Sequence, residues 1–104
     1  MFNVIARKTL TVYMEKYPAA KLSLSKWYHE IQEADFANFN ELKQVYKSAS
    51  LVADNRIIFN IKGNDYRLVV RVLFDYKSIQ VKWFGTHKEY DAIDVTTIQY
   101  KRHD

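Results

Sequence analysis

The sequence contains no cysteine, two glycines and a single proline among 104 residues. Without cysteine the chain can form neither a disulfide framework nor a thiolate metal site, and it has no thiol nucleophile. The scarcity of glycine and proline, with a hydrophobic fraction of 48%, is typical of a packed globular chain and argues against disorder. The length fits one core, so we expect a single domain over residues 1–104 with any active site on the scaffold itself.

Long apolar runs are also missing. No stretch approaches the roughly 20 apolar residues of a membrane span, and the N-terminal segment has no apolar run long enough for a secretion signal. We therefore expect a cytoplasmic protein that does not engage a membrane. Three scattered histidines without paired ligand spacing, and no glycine-rich phosphate loop, predict neither a metal site nor a small-molecule cofactor.

The positive charge is modest in total but unevenly placed. The formal net charge is +4, and residues 56–90 alone carry seven Lys and Arg against three Asp and Glu. A localised basic segment favours binding to a polyanion, because clustered cations release counterions from phosphates. The alternative is ordinary solvated charge.

Apolar residues recur at helical spacing in two segments of the N-terminal half. The first runs from Leu10 to Tyr17 and ends at Pro18, and the second covers about residues 21–34. A short strand over residues 2–6 precedes them. A less regular stretch follows, with a helical turn over residues 40–46 capped by Asn40.

From Arg56 the period of the pattern changes to two. We predict a strand through Lys62, a tight turn at residues 63–65, a second strand over 66–75 and a third over 79–84 that ends at Gly85. These strands form an antiparallel meander. The fold class is therefore α+β, with an N-terminal helical hairpin packed on a twisted antiparallel sheet.

Strand alternation places Arg67 and Arg71 on the sheet face opposite the apolar one. The same pattern allows Lys62 and Lys82 to share that face, which would make a cationic floor. The alternative is that strand lysines and arginines merely keep an exposed sheet soluble. Alternation also predicts that Trp83 faces the core.

Residues 85–91, GTHKEYD, follow the third strand directly and carry hydroxyl, imidazole, amine, carboxylate and phenol groups. Metal-free RNA cleavage needs a base for the 2′-hydroxyl, an acid for the departing 5′-oxygen and cations for the phosphorane. His87 can act as either acid or base, because an imidazole exchanges protons near neutral pH. His29, within the second helix, and His103, in the tail, are expected to be structural or surface groups.

Three motifs in this order, FNIKGN at 59–64, YRLVV at 66–70 and GTHKEYD at 85–91, resemble the HigB toxins of the RelE superfamily. The similarity extends upstream through Trp27 and the segments 34–36, 41–43 and 48–50, so it covers most of the chain. The resemblance implies a RelE-like fold, mRNA cleavage usually coupled to the translating ribosome, no metal, and neutralisation by a cognate helix-turn-helix antitoxin of the HigA type.

The resemblance also implies roles for single residues. Arg67 occupies the position of the strand arginine that such toxins use at the scissile phosphate, and His87 lies in the loop where they place a proton-transfer or phosphate-binding group. Tyr90 and Lys88 follow in the same loop. Lys82 stands where relatives often have arginine, so it keeps the charge but loses the bidentate fork. The general base stays open, with Glu89 as one candidate.

The leading hypothesis is therefore an mRNA endoribonuclease toxin. Its catalytic residues would be Arg67, His87 and Tyr90, and its RNA-binding residues Lys62, Arg71, Lys82 and Lys88. A second hypothesis is a non-catalytic toxin that acts on a protein such as a topoisomerase, as some RelE relatives do. A third is simple binding of single-stranded RNA, with stacking platforms chosen among Tyr66, Tyr76, Trp83 and Tyr90.

Overall fold

The structure, a computed structural model, describes residues 1–5 and 7–99. The helices and strands follow in the order β1 (Asn3–Ile5), α1 (Arg7–Lys16), α2 (Lys21–Glu33), α3 (Phe39–Val45), β2 (Ser50–Val52), β3 (Arg56–Ile61), β4 (Tyr66–Leu73), β5 (Ser78–Thr86) and α4 (His87–Tyr90). Short 3-10 turns lie at Pro18–Ala20 and Phe74–Tyr76. The predicted α+β class and the helical hairpin of α1 and α2 are confirmed.

The described strands form one sheet with the order β1-β5-β4-β3-β2. The predicted meander of β3, β4 and β5 is present and antiparallel. At one edge β1 joins parallel to β5, with Asn3 opposite Ser78, and at the other β2 pairs antiparallel with β3. The sheet is therefore mixed, because a strand from the start of the chain lies beside the last one.

One face of the sheet packs against the helical hairpin. Alternate residues of the three central strands point to this side and are nearly or fully buried: Ile57, Phe59, Ile61, Leu68, Val70, Val72, Ile79, Val81 and Phe84. The helices contribute Leu10 and Tyr13 from α1 and Leu24, Trp27 and Ile31 from α2. In the described part of the chain, no helix has the length and apolarity needed to cross a membrane.

The cap predicted at Asn40 is wrong by two residues. The side chain of Asn38 accepts a hydrogen bond from the backbone N–H of Glu41 at 3.0 Å, so α3 begins at Phe39. An asparagine caps a helix from an extended backbone, and Asn38 has that backbone. Either asparagine satisfies the sequence pattern, and only the backbone conformation decides between them.

The third strand of the meander extends further than predicted. Gly85 lies inside β5, opposite Arg67, and the strand continues to Thr86. The register between β4 and β5 shifts after Val69: Val69 pairs with Trp83, whereas Val70 pairs with Val81. Lys82 is the extra residue of this β-bulge, and an extra residue reverses the side-chain alternation beyond it. The prediction that Trp83 faces the core is wrong for this reason.

The second face of the sheet is less open than predicted. Ile58 and Val69 point to this side and are buried. Arg56, with 4% of its surface exposed, donates through Nη1 to the backbone carbonyls of Val95 at 3.2 Å and Ile98 at 2.5 Å. The segment that follows α4 is thus tied across the Arg56 end of this face, and the Arg67 end carries the candidate site.

Candidate active site

Arg67, His87 and Tyr90 lie together where β4 begins and β5 ends. Arg67 pairs across the strands with Gly85, and its Nη2 is 3.4 Å from Nδ1 of His87. The guanidinium carbon lies 5.8 Å from the centroid of the Tyr90 ring, and Nη1 donates to the backbone carbonyl of Asn64 at 3.4 Å. The structure therefore brings the three predicted catalytic residues into one cluster of a planar cation, an imidazole and a phenol.

The short helix α4 holds two of these side chains in place. A capping box closes its first turn: Oγ1 of Thr86 accepts from the N–H of Glu89 at 3.1 Å, and Oε1 of Glu89 accepts from the N–H of Thr86 at 2.9 Å. The N–H of His87 donates to the carbonyl of Asp65 at 3.0 Å, which joins α4 to the β3–β4 turn. On the far side of the imidazole, Nε2 is 3.8 Å from Oδ1 of Asp91.

Glu89 is held by donors on two sides. Besides the Thr86 N–H, its carboxylate accepts a hydrogen bond from the Tyr17 hydroxyl at 2.8 Å. The Thr86 N–H lowers the pKa of Glu89, and burial together with the adjacent carboxylate raises the pKa of Tyr17, so the donor keeps its proton and the acceptor its charge. Through these contacts Glu89 stabilises the start of α4. They argue against the hypothesis that Glu89 is the general base.

The predicted RNA-binding residues Arg71 and Lys82 lie farther along the same face. Arg71 is four positions from Arg67 on β4, which is about 13 Å of strand. It contacts Asp54 through Nε, 3.3 Å from the carbonyl oxygen, and Nη2, 3.4 Å from Oδ1. Partial burial and the charges of Arg56 and Arg71 lower the pKa of Lys82. The face therefore carries cations in two places: Arg67 in the cluster, and Arg71 with Lys82 near the bulge.

Lys62 and Lys88 are placed differently from each other. Lys62 follows β3 in a turn with a φ of 55°, and it lines a depression together with residues of α2 that include Lys26 and Trp27. The strand alternation ends before Lys62, so the structure does not bring it onto the face of Arg67 as predicted. Lys88 is exposed on α4, directly after His87.

The remaining histidines stand apart from the cluster. His29 is exposed on α2, where its ring lies 5.6 Å from that of Tyr28, in agreement with the expected surface position. His103 lies outside the described residues. Within residues 1–5 and 7–99, no three side chains of His, Asp or Glu are grouped so that they could hold a metal ion.

Comparison with known protein families gives a match over residues 20–93 to the HigB toxin family, described as the RelE-like toxic component of a toxin–antitoxin system. The matched residues are well over half of the chain and include the whole cluster. The chain belongs to the HigB toxin family. The resemblance predicted from the three motifs is thereby confirmed, and membership implies an antitoxin as partner.

Individual HigB proteins match over almost their whole length. The chain is 33% identical over 91 residues to the mRNA interferase toxin HigB of Escherichia coli strain K12, which covers 86% of this chain and 88% of the relative. The mRNA interferase HigB of Shigella flexneri gives the same identity and coverage. The mRNA interferase HigB of E. coli O6:H1 strain CFT073 is 25% identical over 93 residues, covering 88% of this chain and 90% of the relative.

The sequence pattern of this HigB-family chain misplaces or omits the contacts of three residues. Trp83 is a candidate stacking platform, but the pattern predicts that it faces the core, because no local signal marks the bulge at Lys82. Tyr17 was assigned only to the stripe of the first helix, whereas its hydroxyl also anchors α4. Arg56 marks only the start of a predicted strand, and nothing in the sequence pattern indicates that its side chain is buried.

Proposed function

We propose that this protein is an mRNA interferase, the endoribonuclease toxin of a toxin–antitoxin pair, with Arg67, His87 and Tyr90 as its catalytic residues. The observation that carries the proposal is the 3.4 Å approach of the Arg67 guanidinium to the His87 imidazole, on a cationic sheet face. A guanidinium binds phosphate oxygens in a bidentate manner, and the imidazole beside it can move a proton of the same nucleotide. The relatives named as mRNA interferases support the same chemistry.

The reaction that this cluster suits is transfer of the phosphodiester to the neighbouring 2′-oxygen. The 2′-hydroxyl gives its proton to a base and attacks phosphorus, the bond to the 5′-oxygen breaks, and that oxygen takes up a proton from solvent water. The products are a 2′,3′-cyclic phosphate and a 5′-hydroxyl end. Arg67 stabilises the charge that builds on the non-bridging oxygens, and the Tyr90 ring against the guanidinium keeps it in place.

The orientation of His87 favours the part of general base. A guanidinium can only donate, so we assign Nδ1, which faces Arg67, as the nitrogen that accepts, while Nε2 lies on the side of Asp91. When Arg67 holds a phosphate, the lone pair of Nδ1 lies beside that phosphate, where the 2′-hydroxyl is. Asp91 then stabilises the imidazolium that forms.

The wider assignment follows from the family. We propose that the substrate is mRNA on the translating ribosome in the cytoplasm, that Arg71, Lys82 and the exposed Lys88 guide its backbone, and that the antitoxin is a helix-turn-helix protein of the HigA type. The basic segment of residues 56–90 supports a polyanionic substrate. Its cations lie on the face of the cluster at Arg67, Arg71 and Lys82.

Expression in a growing culture with mapping of transcript 5′ ends tests the proposal. The parent protein should arrest growth and produce new 5′ ends within translated regions. Arg67→Ala should lower cleavage by about 100- to 1,000-fold and His87→Ala by about 100- to 10,000-fold. Lys21→Ala, which removes an exposed cation at the start of α2, is the charge-matched control and should cleave as the parent does. Growth arrest without new 5′ ends would contradict the ribonuclease.

A substrate with sulfur in place of the 5′-oxygen at the cut separates base from acid. A thiolate leaves without protonation, so this substrate rescues the loss of a general acid and does not rescue the loss of a general base. We expect His87→Ala to remain slow on it. Recovery of the parent rate would assign His87 the part of acid instead.

A further inference from the structure

Trp83 lies on the same sheet face as the catalytic cluster. The bulge at Lys82 brings Trp83 opposite Val69, and only the Leu68–Phe84 pair lies between that pair and Arg67–Gly85. The indole is half-buried, and it lies on the other side of the sheet from the core formed with the helices. A large aromatic ring is therefore displayed beside a phosphate-binding arginine.

The surroundings of Trp83 fix the position of its ring. The six-membered ring lies over the backbone of Gly85, where a Cβ would be 2.6 Å from Cη2 and 2.7 Å from Cζ2. The Tyr90 ring is 6.3 Å away with a tilt of 55°, and the Arg67 guanidinium lies over that same Tyr90 ring. Trp83, Tyr90, Arg67 and His87 thus form a continuous row.

We propose that Trp83 is a stacking platform for the nucleobase next to the scissile phosphate; this inference rests on the proposed ribonuclease function. A base is joined to its phosphate through one sugar, so a base adjacent to a phosphate on Arg67 reaches the neighbouring aromatic rings. Unstacked bases of single-stranded RNA stack on such rings, and every base has a π-face for it.

The tilt between the Trp83 and Tyr90 rings favours an RNA conformation that suits cleavage. One base cannot lie flat on both Trp83 and Tyr90 when their planes differ by 55°. Two successive bases, one stacked on each ring, are inclined to each other by about the angle between the rings. That separation breaks the regular stacked helix and frees the 2′-oxygen to line up with the departing 5′-oxygen, which is the geometry that the reaction needs.

The test combines protein variants with RNA that lacks single bases. Single-turnover cleavage is measured on one mRNA in a purified translation system, or on free RNA if the parent cuts it, with an abasic nucleotide placed on either side of the cut. For the parent we expect one abasic position to slow cleavage by about 5- to 150-fold. Trp83→Leu should show a loss of that order on intact RNA and little further loss on the abasic RNA, and Trp83→Phe should lie between.

The matched control is Trp27→Phe, which changes the other tryptophan, buried under α2 against Phe59, and should leave the abasic effect at its parental size. If Trp83→Leu and the abasic change multiply as independent losses, or if Trp83→Leu cleaves as the parent does, the platform is contradicted while the ribonuclease stands. If the parent cleaves no RNA with or without ribosomes, both the proposed ribonuclease function and the proposed stacking role of Trp83 are contradicted.

Discussion

Gly85 stands inside β5 because an indole occupies the space where a larger residue would place its Cβ. A glycine at this position predicts the end of a strand, since glycine is depleted from strand interiors. Here its use is steric: the closest atoms to an added Cβ would belong to Trp83 and, at 3.0 Å, to Oε1 of Glu89. One small residue thus sets the positions of an aromatic ring and of the carboxylate that anchors α4.

Gly85→Ala should lower both stability and cleavage. The new methyl displaces the Trp83 ring, and overpacking of this kind costs about 1–3 kcal/mol of unfolding free energy. Urea unfolding measures the loss, and near-UV circular dichroism reports the moved indole. Gly63→Ala is the control: its φ is 66° and an added Cβ contacts nothing within 4 Å, so it strains the backbone without touching the site. Unchanged cleavage and near-UV signal in Gly85→Ala would contradict this account.

The helix α4 has four residues, too few to be stable on its own, and depends on contacts from elsewhere. The Tyr17–Glu89–Thr86 chain supplies them from the end of α1. Because the pKa of Glu89 is lowered, its stabilising contribution is complete above the ordinary glutamate pKa of 4.5 and is lost as the pH falls below 4.5 through the lowered value. The cap of α4 is therefore intact at neutral pH.

Tyr17→Phe should loosen α4 without unfolding the protein. We expect kcat to fall by about 10- to 100-fold with KM close to the parental value, because the proposed catalytic groups on α4 are misplaced while Arg67, the proposed phosphate ligand on β4, remains. The pKa of Glu89, followed by NMR titration of its carboxyl carbon, should rise toward 4.5. Tyr76→Phe, at a tyrosine that is 80% exposed, is the control. A parental kcat, or an unmoved Glu89 titration, would remove Tyr17 from the support of α4.

Most helices and strands were predictable from the local sequence pattern. The features that were not predicted depend on strand pairing or are too short to show a period. The 3.6-residue and two-residue periods located α1, α2 and the three central strands. The bulge at Lys82 carries no local signature, and β2 has three residues, too few for a period. Three residues connect Val52 to Arg56 at the turn after β2, and two of them, Asp54 and Asn55, adopt positive φ near 60°. The resemblance to the HigB toxins implies that Arg67 and His87 share one site, whereas their contact and the orientation of Trp83 required the structure.

The molecule as a whole separates an occupied end of the sheet face from an accessible one. At the occupied end Arg56 binds the carbonyls of Val95 and Ile98, and at the other end Arg67 lies beside His87. The same segment contributes three half-buried apolar side chains, those of Ile93, Val95 and Ile98. The C-terminal segment thus acts as a third layer over part of the sheet.

Arg56→Met should release this layer. Loss of two hydrogen bonds from a charged donor is expected to lower the unfolding free energy by roughly 1.5–3 kcal/mol. Hydrogen exchange should accelerate at the Ile98 amide, which bonds to the carbonyl of Asp94. Arg71→Met, which removes a partly exposed contact with Asp54, should cost about 0–1 kcal/mol and leave Ile98 protected. Equal effects of the two variants would show that Arg56 does not hold the segment.

The parallel pairing of β1 with β5 also fixes when the molecule can be completed. Asn3 pairs with Ser78, so β1 cannot join the sheet before β5 has formed. Closing so long a loop slows this pairing. During synthesis the N-terminal strand leaves the exit tunnel long before its neighbour exists, and Arg67 and His87 cannot meet until the chain beyond residue 90 has emerged. A nascent copy therefore lacks the assembled cluster of Arg67 and His87 until its last strand and α4 have emerged.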